Sequence, residues 1–246
     1  MIEVYFDGSC EPNPKGIACY AFVVYRDGKK IYQESGLACE PFSVYATNNV
    51  AEYMGLIKAL EWLIASLDQR EVERENIIIK GDSELIIKQM LGLYLARSAR
   101  LRPLHLKASK LARRFKNIAF VWVPREKNRI ADLLTQGAYV KYIETHPEAR
   151  EKIKKYLATK KQRYLLKRLG IRHNKYITKQ EAKRKIEQVL RKLKEKEKER
   201  KKKEAEVIEK LRWLCMTGVI DKEKAREIWK EQKLKFFKFK SNNFRN

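Results

Sequence analysis

Apolar and polar residues alternate from the first positions of the chain. Ile2, Val4 and Phe6 are interleaved with Glu3 and Tyr5, a two-residue period that predicts a strand with one buried face over residues 2–9. Asp7 therefore stands near the carboxyl end of an early strand, and Gly8 after it predicts a turn. The segment EPNPKG supplies a loop, and residues 17–25 are apolar and rich in β-branched and aromatic side chains. Arg26-Asp27-Gly28-Lys29 predicts a hairpin into a third strand over residues 30–37. Beyond Pro41, Thr47 or Asn48 can cap a helix in which Val50, Met54, Ile57, Leu60 and Ile64 recur at helical spacing. The apolar run of residues 77–79, with Lys80, Gly81 and Asp82 after it, suits a central parallel strand. Helices over residues 83–90 and 103–114, a strand over residues 118–123 and a helix from about Asn128 complete the order βββαβααβα. That order predicts an α/β unit with a mixed five-stranded sheet and helices on both faces, closed by Pro147.

The remainder of the chain is helical in composition and differs sharply in charge. Residues 1–147 carry 21 basic and 17 acidic side chains, whereas residues 148–246 carry 35 and 14, so most of the net charge of +25 lies in the back half. Such asymmetry points to a polyanionic partner. The expected domains are a catalytic unit over residues 1–147, a small basic helical module over 148–190, a charged helix or linker over 191–204, and a helical hairpin with a basic aromatic tail over 205–246. In that tail Phe236, Phe237, Phe239 and Phe244 alternate with cations, which suits stacking on nucleic acid. Cys10, Cys19, Cys39 and Cys215 form no CxxC pair, so they are read as reduced thiols without zinc. With no apolar run long enough to span a bilayer and no leader-like start, a cytoplasmic protein without a membrane partner is expected.

Four acids carry the chemistry. Asp7 and Asp82 end strands, while Glu52 and Asp132 lie near helix starts. Parallel neighbouring strands would set Asp7 beside Asp82, where two carboxylates repel unless a cation joins them. Mg²⁺ or Mn²⁺ is the ion such oxygen ligands favour, and an ion pair about 3.5–4 Å apart is the usual device for phosphodiester cleavage. Each acid taken alone is better read as a cap or a surface charge, and it is their conjunction that points to a metal site.

In sequence order, DGSCEPNPKG, TNNVAEYMGLIKALEWL, IIIKGDSELIIKQM and VWVPREKNRIADLLTQGA resemble the four motifs of type 1 ribonuclease H, over residues 1 to about 145. The resemblance implies a ribonuclease H fold with strand order 3-2-1-4-5. It implies that Asp7, Glu52, Asp82 and Asp132 are the catalytic metal ligands for two Mg²⁺ ions, replaceable by Mn²⁺, with Asp7 bridging both. It further implies that Ser9, Cys10, Asn13, Asn48, Asn49 and Ser83 contact substrate. The implied activity is hydrolysis of the RNA strand of RNA/DNA hybrids, giving 5′-phosphate and 3′-hydroxyl ends. Alternatives are a nuclease also acting on double-stranded RNA, and a weak or inactive nucleic-acid binding protein of the same fold.

Bacterial members carry a histidine on the loop before the last acid. The loop here, PREKNR, has none, which leaves Arg125 or a metal-bound water for part of that role, while His105 and His146 lie elsewhere. The stretch from Leu93 to Arg114 is short, resembling compact archaeal-type members that lack the basic protrusion. Thr159, Gln162, Leu166, Leu169, Gly170, Thr178, Glu181, Ala182 and Ile186 resemble a small helical module appended to some prokaryotic nucleic-acid enzymes, with a bare helical hairpin as the alternative. The basic half is expected to hold nucleic-acid backbone, and a replication protein is a further expected partner.

Overall fold

The computed structural model describes the backbone of residues 1–242 and the side chains of residues 1–232. The tail phenylalanines 236, 237, 239 and 244 lie outside the described side chains. Two compact units are present, Met1–Lys183 and Arg184–Asn246. The first runs past Pro147, where the sequence pattern suggests a boundary, and takes in the helices that follow it.

In the first unit, β1 (Ile2–Glu11), β2 (Ile17–Arg26) and β3 (Lys29–Leu37) form an antiparallel meander, and β4 (Ile77–Gly81) and β5 (Ile118–Trp122) add in parallel. The strand order is β3-β2-β1-β4-β5. The β2–β3 turn places Asp27 and Gly28 at φ 51° and 77°, the left-handed pair that a tight hairpin requires. Ile2, Val4 and Phe6 are fully buried as the alternation predicts.

One face of the sheet is covered by α1 (Asn48–Ser66), with α3 (Glu84–Met90) and α4 (Arg102–Ala112) beside it. The other face is covered by α5 (Arg129–Thr145) and α6 (Pro147–Lys154). A short α2 (Gln69–Arg74) precedes β4, closed by a capping box between Asp68 and Glu71. Then α7 (Lys160–Arg168), with a capping box of Thr159 and Gln162, leads into α8 (Lys179–Met216). This last part of the unit is tied to the sheet. Thr178 Oγ1 donates to the Glu11 carboxylate at the end of β1, and the Tyr139 hydroxyl donates to the Tyr176 carbonyl at 3.2 Å.

Gly8 does not turn the chain. The strand continues to Glu11, and the glycine instead lets α1 lie directly on β1. A Cβ there would sit 2.0 Å from the Glu52 nitrogen, and one on Gly55 would sit 2.8 Å from the Asp7 carbonyl oxygen. Gly8→Ala should therefore destabilise the chain by about 3 kcal/mol or more, as severe overpacking does. Chemical denaturation of the variant checks this, and a loss below about 0.5 kcal/mol would contradict the close approach.

The second unit contains the rest of α8 and α9 (Lys222–Asn242), joined by a turn in which Gly218 has φ 72° and Asp221 Oδ1 accepts from the Lys224 N–H at 2.7 Å. The charged run 191–204 is helical. Pairs four residues apart, including Arg200 with Glu204 and Lys203 with Glu199, support it in place of a buried face. No helix among the described residues is long and apolar enough to cross a membrane.

Candidate active site

Parallel pairing of β1 with β4 ends at Phe6 opposite Gly81. Asp7 and Asp82 are the next residues on each chain, so both carboxylates emerge where the parallel strands stop and β1 continues with β2 alone. Glu52 is added by the first turns of α1, held close by Gly8. Carboxylate oxygens of Asp7, Glu52 and Asp82 all lie within 4.8 Å of one another.

Asp132 does not join that trio. Its Oδ1 accepts from Arg125 Nη2 at 2.7 Å and its Oδ2 from Gln136 Nε2 at 2.7 Å. Both of its oxygens are thus engaged by a guanidinium from the Arg125–Lys127 3₁₀ turn and by an amide one helical turn on. It remains linked to the cluster through Thr135, whose Oγ1 is 2.9 Å from the Asp132 carbonyl and 3.3 Å from Asp7 Oδ2.

The electrostatics follow from burial. Asp7 is 5% exposed, and desolvation, then the charges of Asp82 and Asp132, hold its carboxyl well above the usual carboxylate range; Arg125 and the Gly8 N–H offset this only in part. Desolvation followed by the charges of Asp7 and Asp82 does the same to Glu52. Burial works against the Arg125 cation, but Asp132 and Asp7 outweigh it and keep the guanidinium charged. Glu52 Oε2 is buried with no hydrogen-bond partner. Ionised carboxyl oxygens only accept, so an orphaned oxygen amid two more carboxylates fits a hard divalent cation, which takes just such ligands.

Two residues without a sequence signal hold this arrangement. Asn128 is 1% exposed, and its amide donates to the Phe6 carbonyl at 2.8 Å and to Asp82 Oδ1 at 2.7 Å, fixing Asp82 against β1. Trp122 donates its indole N–H to the Asp82 carbonyl at 3.1 Å. Three of the expected substrate residues are joined by hydrogen bonds. The Cys10 N–H donates to Asn48 Oδ1 at 2.7 Å, and the Asn48 N–H to Asn13 Oδ1 at 3.1 Å. Asn13, Asn48 and Asn49 line a cleft of about 350 Å³ with Thr47, Ser98 and Arg100. Ser9 is half-buried on β1, and Ser83 is the cap residue of α3, making no side-chain cap bond. Burial pushes the Cys10 thiol up to about 12, so it is no nucleophile. His105 lies near the Tyr53 hydroxyl and His146 stacks on Tyr142, neither of them among the acids.

Strand order 3-2-1-4-5 with carboxylates at the end of the parallel pair defines a ribonuclease H-like unit. Residues 6–138, more than half of the chain, match the family described as "Reverse transcriptase-like". The bifunctional protein Rv2228c of Mycobacterium tuberculosis is 36% identical over 138 residues, 56% of this chain and 35% of that protein. The solved N-terminal RNase H domain of Rv2228c, fused to maltose binding protein, is 30% identical with a TM-score of 0.51, over 58% of this chain and 96% of that one. LC11-RNase H1, solved in complex with an RNA/DNA hybrid, is 32% identical with a TM-score of 0.50, over 58% of this chain and 99% of that one. The chain belongs to the type 1 ribonuclease H family. It spans about a third of the length of the first curated relatives it matches.

Proposed function

We infer that this chain is a metal-dependent endoribonuclease that hydrolyses the RNA strand of RNA/DNA hybrids, leaving 5′-phosphate and 3′-hydroxyl ends. The observation that carries the reading is the trio of buried, close carboxylates with the unpartnered Glu52 Oε2, because a fold with no ion to bind gains nothing from holding them together. Asp7, Glu52 and Asp82 would hold the metal, with Asp132 completing the set. Two Mg²⁺ ions, or Mn²⁺ in their place, supply Lewis-acid activation of water and neutralise charge on the leaving 3′-oxygen when bound.

The chain's own part is positional. Asn128 fixes Asp82, Thr135 couples Asp7 to Asp132, and Arg125 holds Asp132 by a charge-assisted bond. Asn13, Asn48 and Asn49 would meet the minor groove, where a hybrid displays its 2′-hydroxyls, with Ser9, Cys10 and Ser83 around them. The basic residues beyond 147 would add backbone affinity.

Incubating the full chain with a hybrid labelled on each strand, with Mg²⁺, with Mn²⁺ and with chelator, tests the reading. Cutting of the RNA strand alone, with either metal and not with chelator, is expected. Binding without cutting under both metals would leave a binding protein, and equal cutting of duplex RNA would widen the substrate class. Affinity for an uncleavable duplex should fall steeply with salt, by about 0.9 log units per log unit for each phosphate contacted. A flat salt dependence would remove the role given to the basic half.

A further inference from the structure

The two-residue period of β1 projects Glu3, Tyr5 and Asp7 from one face of the sheet. Asp7 serves the acid cluster. Below it, Tyr5, Tyr25 and the start of α5 enclose a separate cleft of about 400 Å³, within the range of small-ligand sites. Tyr5 and Tyr25 meet edge to face with ring centroids 5.7 Å apart; Lys80 Nζ lies over the Tyr5 ring, 5.0 Å from its centroid, so the wall offers the Tyr25 ring for stacking and the Tyr5 ring as its backing. Lys127 and Arg129, exposed at the rim, make no side-chain hydrogen bond or ion pair among the described residues. Asn128, between them, spends its amide protons on Phe6 and Asp82, and its Oδ1 is buried with no partner. Glu3, which also lines the cleft, is already neutralised by Lys80.

An aromatic surface and two cations without a side-chain partner among the described residues therefore converge on one cavity outside the acid cluster. Ring faces suit a base, and a cation pair suits a phosphate. We propose that this cleft binds a nucleotide 5′-phosphate, with the base against Tyr25, backed by Tyr5, and the phosphate on Lys127 and Arg129. A free nucleoside monophosphate and the 5′-phosphorylated end of a strand share this chemistry. The site needs no metal and no hydrolysis, so it stands apart from the reaction inferred above.

Isothermal titration of the full chain in chelator, with adenosine 5′-monophosphate, uridine 5′-monophosphate, and a DNA tetranucleotide with or without a 5′-phosphate, tests it. Chelator removes any metal-held phosphate at the acid cluster. Saturable binding is expected with Kd below about 1 mM, weakened about tenfold or more in K127A/R129A, which lacks both charge-assisted bonds. Tyr25→Leu should weaken binding as well, while hybrid cleavage by that variant stays at the wild-type rate. Binding by the monophosphates assigns the free nucleotide, and binding by the 5′-phosphorylated tetranucleotide alone assigns the strand end. Absence of saturable binding by every probe, or affinity unchanged in K127A/R129A, overturns the site. Failure of hybrid cleavage with nucleotide binding intact would overturn the reaction and leave the site standing.

Discussion

Asp7→Asn should abolish hybrid cleavage, by about 10³-fold or more, the scale on which loss of a preorganised electrostatic group acts, and should leave the chain folded. The side chain keeps its volume, and its oxygen can still accept from Thr135 across the 3.3 Å contact. What is lost is the negative charge at the most buried of the acids, the one from which both Glu52 and Asp82 are within reach of a shared ion. Removing that charge relieves the repulsion that raises Glu52, so in chelator the variant should melt no lower than wild type. Strand-resolved cleavage and calorimetry on the same preparation separate the two effects. Retention of more than about a tenth of wild-type cleavage would contradict the placement of Asp7 at the centre of the chemistry.

The second large effect is on stability. Asp7 and Glu52 have carboxyls raised in the folded chain, so the folded state binds protons more readily than the unfolded one. Their contribution is fully present below the ordinary carboxylate values near ~4 and is lost as pH rises through the raised folded values. In chelator, wild type should lose melting temperature relative to Asp7→Asn as pH is taken upward from about 4. A divalent cation that binds only the folded state should reverse this. At a hundredfold excess over its dissociation constant it adds about 2.7 kcal/mol, or roughly 5–10 °C for a chain of this size. Wild type and variant melting in parallel across pH, with no response to Mg²⁺, would remove the cation from the cluster.

The sheet was legible because its cue is the simplest one, alternation in β1 and continuous apolarity in β2 and β4. The ends of elements were not. Asp7-Gly8 carries the composition of a turn, yet the glycine is required by an element 44 residues away in sequence, the Glu52 turn of α1, which no local pattern reports. The α2 capping box was present in the sequence as Asp68 and Glu71 but was masked by the surrounding charge. Among the acids, the rims of β1 and β4 bring Asp7 and Asp82 together as expected. The engagement of Asp132 by Arg125 and Gln136 depends on side-chain reach across a 3₁₀ turn and a helix, which motif spacing does not encode. Asn128 shows the same limit. It stands at the start of a helix, makes no cap bond, and instead fastens Asp82 to β1.

The bond from Thr178 to Glu11 joins residues 167 positions apart. On a growing chain, Asp132 is in place 46 residues before Thr178 is made. At about 5–20 residues per second that interval lasts on the order of 2–9 s. For that time the nascent polypeptide carries all four acids but lacks the residue that ties Glu11 to the later helices. Completion of the unit is thus timed by translation of the segment beyond the last acid.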